Sequence, residues 1–438
     1  MGRLSKKDPG FDKKSPLRYV LYVFPRKKGF VMKKITMAIL LILPLLFIAA
    51  AWDAAYATPL IAMQAAERCD TCHEEPDRKD PKWIEENYKI SERKCRLTCN
   101  VCHVNPSGGM LRNGTGYVYG TKSLSLVTDI PDDVARYIEA IRENGFLTIG
   151  GDFRFMAIRG DSTDVDPLYF PMQADLYLNA RVQKHVSLFT QFGLERAGNP
   201  AVREAFGLVD NFPYNAYVKF GRFIPPYGLR LDDHTAFIRT KLELSQAQSD
   251  AYFSGVEAGA EPTLFFARAS HFNSDTTPSG SSGLTPTGYS ATAGWAGTWL
   301  HLSLSYIGIN DLDATTLGST ERSAYGAAGA LRYKTLTYLF EFDRKNDDVA
   351  SGGSVSTEDA DITFSELDWK AVQGVNLKAR YETYSPEAST GEADQKRYVA
   401  GVDFYPWPFT EINAQYRVTD SEPGDTSNDF FVIGHIWF

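Results

Sequence analysis

The chain has 438 residues, with 46 basic and 54 acidic side chains and a formal net charge of -8. Residues 1–57 hold 11 of the basic and 3 of the acidic side chains, which leaves 35 against 51 in the rest. A body this acidic is a poor match for a phosphate backbone and excludes nucleic acid as a partner. Aromatic residues make up 13% of the chain and glycines number 35, a mixture that suits alternating strands better than buried helices.

Residues 37–51, MAILLILPLLFIAAA, are the one strongly apolar run; Lys33 and Lys34 precede it and Ala55-Tyr56-Ala57 follows it. Basic, apolar and small-residue segments in that order read as a secretory signal over 32–57, cleaved before Thr58. Residues 1–31 then read as an over-long start. Pro44 and the small-residue site argue against a retained membrane anchor.

From Thr58 to about Gly145 the chain is rich in cysteine, then loop-like and helical. Asp80 and Pro81 open a short helix through Tyr88 as N-cap and first residue. A second helix is expected over 131–144, where Val134, Ile138 and Ile141 share a face and Gly145 ends it. These apolar residues are too few for a core of their own, and a cofactor would supply what they lack.

All five cysteines lie between 69 and 102. They form two complete C-x-x-C-H motifs, Cys69–Cys72–His73 and Cys99–Cys102–His103, with Cys95 left over. The spacing has a reason: two thiols one turn apart add to the vinyl groups of a haem, and the adjacent imidazole becomes the proximal iron ligand. Two covalent haem c groups are therefore expected, with His73 and His103 on the irons. A zinc or iron–sulfur site would use the same cysteines but leaves both following histidines unexplained. Disulfides suit an exported chain but leave one cysteine unpaired. Cys95 is open to reading as a free thiol, a haem ligand or a partner of Cys99.

Beyond Gly145 the period becomes two and stays so to the last residue. Met172, Ala174, Leu176, Leu178, Ala180 and Val182 alternate with Gln173, Asp175, Tyr177, Asn179, Arg181 and Gln183. The same pattern returns at 375–382 and 411–418. Tight links are expected at Lys184-His185, Glu261-Pro262, Gly297-Thr298, Lys334-Thr335, Gln373-Gly374 and 406–408. Long polar loops are expected at 224–249, 274–287, 310–322, 346–360, 386–395 and 420–428. Short turns on one rim and long loops on the other describe an outer-membrane β-barrel of about 16 antiparallel strands over 146–438, with the 58–145 haem domain as its plug or periplasmic cap. A soluble sandwich would need a second apolar sheet to cover the aromatic face, and none is present.

The only histidines of the 58–145 segment are His73 and His103, so the sixth iron ligands must come from elsewhere. The candidates are Met63, Met110, His185, His234, His301 and His435; the alternation turns His301 and His435 inward. The lumen phase mixes both signs, with Asp152, Arg154, Asp175, Arg181, Glu341, Asp343, Lys378, Arg380, Glu382 and Arg417. Such charges can pair with one another or with a plug, whereas a selective filter is more often a ring of one sign.

The second motif continues as His103-Val-Asn-Pro-Ser-Gly-Gly-Met-Leu-Arg-Asn, then Gly116-Tyr117. This resembles the CxxCH-x-N-P-x-G-G segment of haem-bearing porin-like proteins of metal-respiring bacteria. The plan of a short cytochrome before a barrel is similar to the fused outer-membrane cytochrome-porin family. Residues 220–230, FGRFIPPYGLR, resemble a stretch of phosphate-selective-type porins. The resemblance implies electron movement across the outer membrane, as iron oxidation or metal reduction. Its partners would be a periplasmic cytochrome, outer-membrane lipid and an external donor or acceptor such as iron. Two other readings stand beside it: a porin-type solute channel, and a barrel that clasps a separate multihaem cytochrome.

Overall fold

The computed structural model describes Cys99, parts of 103–127, and 146–438 apart from short stretches, chiefly 162–165, 195–199, 245–250, 275–286, 314–317, 352–353 and 388–391. The expected signal segment, Met63, the Cys69–His73 motif, Cys95, Cys102 and the helices expected at 80–88 and 131–144 lie outside the described residues.

Sixteen antiparallel strands close into one barrel, each paired with its neighbours in sequence. The seam joins β1 (Leu147–Gly160) to β16 (Asp425–Trp437), from Asp152 opposite Trp437 to Gly160 opposite Asp429. In β2 (Leu168–Gln183) Gln173, Asp175, Tyr177 and Asn179 are buried inward, while Leu176 and Val182 are exposed. The alternation therefore turns its apolar phase outward, where a bilayer would cover it. Exposed aromatics gather toward both rims: Phe212, Trp299, Tyr333 and Trp407 beside the short turns, and Tyr289, Tyr306, Tyr381 and Tyr398 nearer the other end. Tyr289 stacks with Tyr306 at 5.6 Å and Tyr381 packs against Tyr398 at 5.0 Å. Two aromatic girdles around an apolar band are the mark of a membrane-spanning barrel.

The six tight links fall where the spacing puts them, and 210–216 is a seventh. Three of the expected long loops are instead mostly strand. Residues 310–322 belong largely to β9 (Leu300–Asp313) and β10 (Gly318–Tyr333), residues 346–360 to β11 (Leu336–Ser351) and β12 (Ser354–Val372), and 420–428 runs into β16. About 9–11 tilted residues cross a bilayer, so the 16 and 19 residues of β11 and β12 continue as a hairpin past the rim. There both faces meet water, no apolar phase is needed, and the sequence looks like loop. The acidic residues of this rim are partly neutralised: Arg344 pairs with Asp359 at 2.8 Å, Asp361 at 3.0 Å and Glu387 at 2.8 Å.

The lumen is filled from two sides. The connection after β5 (Tyr217–Phe223) turns inward and carries the one-turn helix α1 (Phe237–Thr240) before β6 (Phe253–Ala260). Its Leu229, Leu231, Phe237 and Ile238 form a buried apolar cluster with Ala328, Leu339, Ile362 and Phe364 of the wall. Against another part of the wall, Val104 and Leu111 pack with Tyr177, Phe189, Phe206 and Phe223. The described part of the 58–145 segment is thus seated inside the barrel.

Candidate functional site

Between the two inserts lies a cavity of about 310 Å³, lined by Cys99, His103, His234, His301 and His435 among others. The turn that carries His103 is built by the sequence around it. The His103 amide donates to the Cys99 carbonyl at 2.8 Å, one helical turn back. The chain then reverses, so that His103 bridges to Arg112 and the Val104 amide reaches the Leu111 carbonyl at 3.1 Å. At the tip the Asn105 side chain accepts from the Ser107 amide and hydroxyl at 3.2 and 3.0 Å. Gly108, at φ +96°, allows the reversal and brings the tip beside Cys99 Sγ and Arg230. The Asn-Pro-Ser-Gly-Gly run is therefore a hairpin tip that holds the cysteine turn in place.

Lys219 anchors this tip from the wall. Its ammonium donates to Ser107 Oγ at 2.7 Å and Asn105 Oδ1 at 3.3 Å, and pairs with Glu257 at 2.8 Å. Arg230 of the inward loop donates to the Ser107 carbonyl at 3.1 Å.

The inward loop is pinned by charge. Asp233 accepts from Arg380 at 2.8 Å and from Arg417 at 3.1 Å. Arg154 donates to Asp232 at 2.6 Å, the Leu229 amide to Glu341 at 2.7 Å, and the Phe237 amide to Glu382 at 2.7 Å. At Gly228, φ +53°, a side chain would overlap the Glu341 carboxylate. Enclosure by the barrel opposes ionisation of Asp232, which faces the cavity, and of Asp233, but Arg154 holds the first, and Arg417 and Arg380 the second, below the ordinary carboxylate range. Other lumen charges pair along the wall: Asp175 with Arg203 at 3.3 Å, Arg181 with Asp210 at 3.1 Å and Lys378 with Asp403 at 2.8 Å. The mixed-sign phase is thus spent on internal pairs and on the loop.

The candidate iron ligands fall into distinct positions. Burial, with Arg112 and Arg230 nearby, pushes the His103 imidazole down to about 3, so it is neutral. Its Nδ1 is buried and finds no hydrogen-bond partner among the described residues. His435 is held through both nitrogens, Nδ1 with Glu411 at 2.9 Å and Nε2 with Asp152 at 3.0 Å. His234 meets Arg154 through Nε2 at 2.9 Å. His301 stacks on Phe266 at 5.3 Å. Met110 borders the cavity and packs partly on the Val104 cluster. His185 is not brought here: it sits in its turn, with Nδ1 against the Asp210 carbonyl at 2.9 Å. His271, whose phase the sequence leaves open, points outward and is exposed. Asp232, Glu411 and His435 bring ligand atoms within 4.8 Å of one another. Arg154 already supplies positive charge to that cluster, through Asp232 and through Asp152 at 3.4 Å.

The sequence reading missed Asp233, Arg230 and the Lys219–Glu257 pair. One signal was available. Residues 224–244, IPPYGLRLDDHTAFIRTKLEL, are far more apolar than a water-exposed loop requires, and the adjacent pair Asp232-Asp233 stands among Arg230, Arg239 and Lys241.

Acid should loosen this loop. Burial and Arg154 lower the His234 imidazole to about 4 from an ordinary 6.5. A released loop takes up its proton near 6.5, so the contribution of neutral His234 is complete above that value and is lost as pH falls toward about 4. We expect bilayer conductance to rise over this window, with the rise absent in His234→Gln; a flat profile from pH 7 to 4 contradicts it.

No known protein family matches the sequence, and no curated protein is significantly similar to it. Among solved structures, a loop-deletion form of OmpT, an outer membrane protein of Vibrio cholerae, is similar over 67% of this chain and 99% of its own, with a TM-score of 0.54 at 19% identity. An anion-selective porin from Comamonas acidovorans covers 67% and 99%, with a TM-score of 0.51 at 10% identity. The outer membrane channel DcaP of Acinetobacter baumannii covers 67% and 97%, with a TM-score of 0.51 at 11% identity. At such identities the likeness is one of fold. With the aromatic girdles and the alternating rims, it makes this chain an outer-membrane β-barrel of the sixteen-stranded porin fold.

Proposed function

We propose that the chain is a haem-bearing outer-membrane barrel that passes electrons between a periplasmic cytochrome and a donor or acceptor at the cell surface. The observation that carries this reading is the filled lumen. Lys219, Glu257, Asp343 and Glu382 face inward and are 0% exposed, whereas an open diffusion channel leaves its lining charges in water. The chain fills its lumen with the inward loop and with the insert that carries Cys99 and His103.

The residues suit the group. Cys99 and His103 lie one helical turn apart, a buried imidazole nitrogen is left over, and an adjacent cavity is bordered by further histidines. Haem c would be held by Cys99, Cys102 and His103, with a second on Cys69, Cys72 and His73. Bound there, it supplies a one-electron carrier in a low-dielectric setting. The chain's own part is to fix the proximal imidazole, keep it neutral and exclude water with the apolar clusters on either side. Iron is a fitting external partner, because the outer rim keeps carboxylates such as Asp348 and Glu358 toward solvent.

The porin fold favours a second reading, a solute channel narrowed by the 224–252 connection. Reconstitution into liposomes that enclose both a redox dye and a small solute separates the two. Dye reduction from outside without solute loss supports the electron path. Solute loss without dye reduction supports the channel and rejects the electron path.

A further inference from the structure

We propose that His301 of the barrel wall is the second axial ligand of a haem attached at Cys99 and Cys102, so that one iron would be clamped between plug and barrel. The inference rests on the haem reading above and adds to it a residue that lies about two hundred positions away in the chain.

Three observations select His301. The first is its place: it borders the same cavity as Cys99 and His103. Strand β9 fixes its direction, because Leu302 and Leu304 are exposed on the outer face while Ser303 and Ser305 are buried on the inner one. Arg268, on β7 (Phe265–Ser274), borders this cavity as well.

The second is availability. An iron ligand needs a ring nitrogen that no stronger partner holds. His435 has both nitrogens on carboxylates, and ligation would abandon two buried charge-assisted bonds. His234 Nε2 is taken up with the Arg154 guanidinium, itself fixed to Asp232. His301 makes no hydrogen bond through either nitrogen among the described residues.

The third is orientation. The His301 ring lies on Phe266 with 17° between the planes. That stacking holds the imidazole plane against a wall residue, and the residue also borders the cavity. An imidazole held rigidly at the edge of a cavity is a good iron ligand. Met110 offers only a thioether on a flexible stem.

The experiment uses the full chain, matured with covalent haem, carrying Cys69→Ala and Cys72→Ala so that only the second motif can load. Mass spectrometry of the peptide spanning Cys99 and Cys102 reads attachment. Electron paramagnetic resonance and the Soret spectrum read ligation, and heat-modifiable gel migration reads folding of the barrel. We expect a low-spin haem that becomes high-spin in His301→Ala and returns to low-spin with added imidazole. In His301→Met, which keeps a side chain of similar size, the midpoint potential should rise, as exchange of an imidazole for a thioether does. Loaded haem that stays low-spin in His301→Ala, with an unchanged potential in His301→Met, overturns the ligation and leaves the haem reading intact. A peptide with no haem overturns both.

Discussion

Asp233→Asn should open the barrel. The substitution keeps the shape of the side chain and removes its charge, so Arg380 and Arg417 lose the carboxylate they share while both remain buried. Breaking a buried charge pair from one side costs on the order of 3–5 kcal/mol. Arg380 retains Glu366 at 2.6 Å, which offsets part of the loss. The wall keeps its own closed strand pairing, so the expected result is a loop that swings rather than a barrel that unfolds. In planar bilayers the variant should carry several-fold more current than wild type, with strand content by circular dichroism unchanged. Equal currents would mean that Asp233 does not hold the lumen shut.

Lys219→Met should free the other insert. Lys219 is fully buried, and its methionine replacement leaves Glu257, among the described residues, with only the Tyr217 hydroxyl, which donates at 2.7 Å. An unpaired carboxylate in that position costs about 3–5 kcal/mol, and the Ser107 tip loses its donor as well. Limited proteolysis should then cut within 103–117, where the wild type resists. The double variant Lys219→Met with Glu257→Gln should regain much of the thermal stability but not the protection of the tip, since only the charge imbalance is repaired. If Lys219→Met protects 103–117 as well as wild type does, the tip is held by its apolar contacts alone.

The strands were legible because lipid demands a regular outer phase. Leu300, Leu302 and Leu304 place His301 inside without any knowledge of the fold, and Ile436 does the same for His435. The hairpin of β11 and β12 was not legible beyond the rim, because a strand wetted on both faces has no period to read. Nor was the site. Lys219 and Glu257 stand directly opposite each other across β5 and β6, but pairing requires the register, and neither residue looks unusual in its own segment. The filled lumen left a subtler trace. Inward positions such as Phe189, Phe206 and Phe364 are apolar where a water-filled pore would carry polar side chains, which tells of an insert against that wall.

The seam of the barrel carries a consequence for how the molecule is made. Arg112 lies over the Trp437 ring at 4.9 Å and Tyr117 packs against Phe409 at 5.1 Å, so the segment that precedes the barrel rests on β16 and on the turn at 405–409. That same strand completes the cylinder, and Phe438 exchanges backbone bonds with Gly151 of β1 at 3.1 and 3.2 Å. Sealing the wall and seating its contents thus draw on one set of residues. A chain that lacks the segment around Arg112 and Tyr117 would close its wall over a gap beside Trp437.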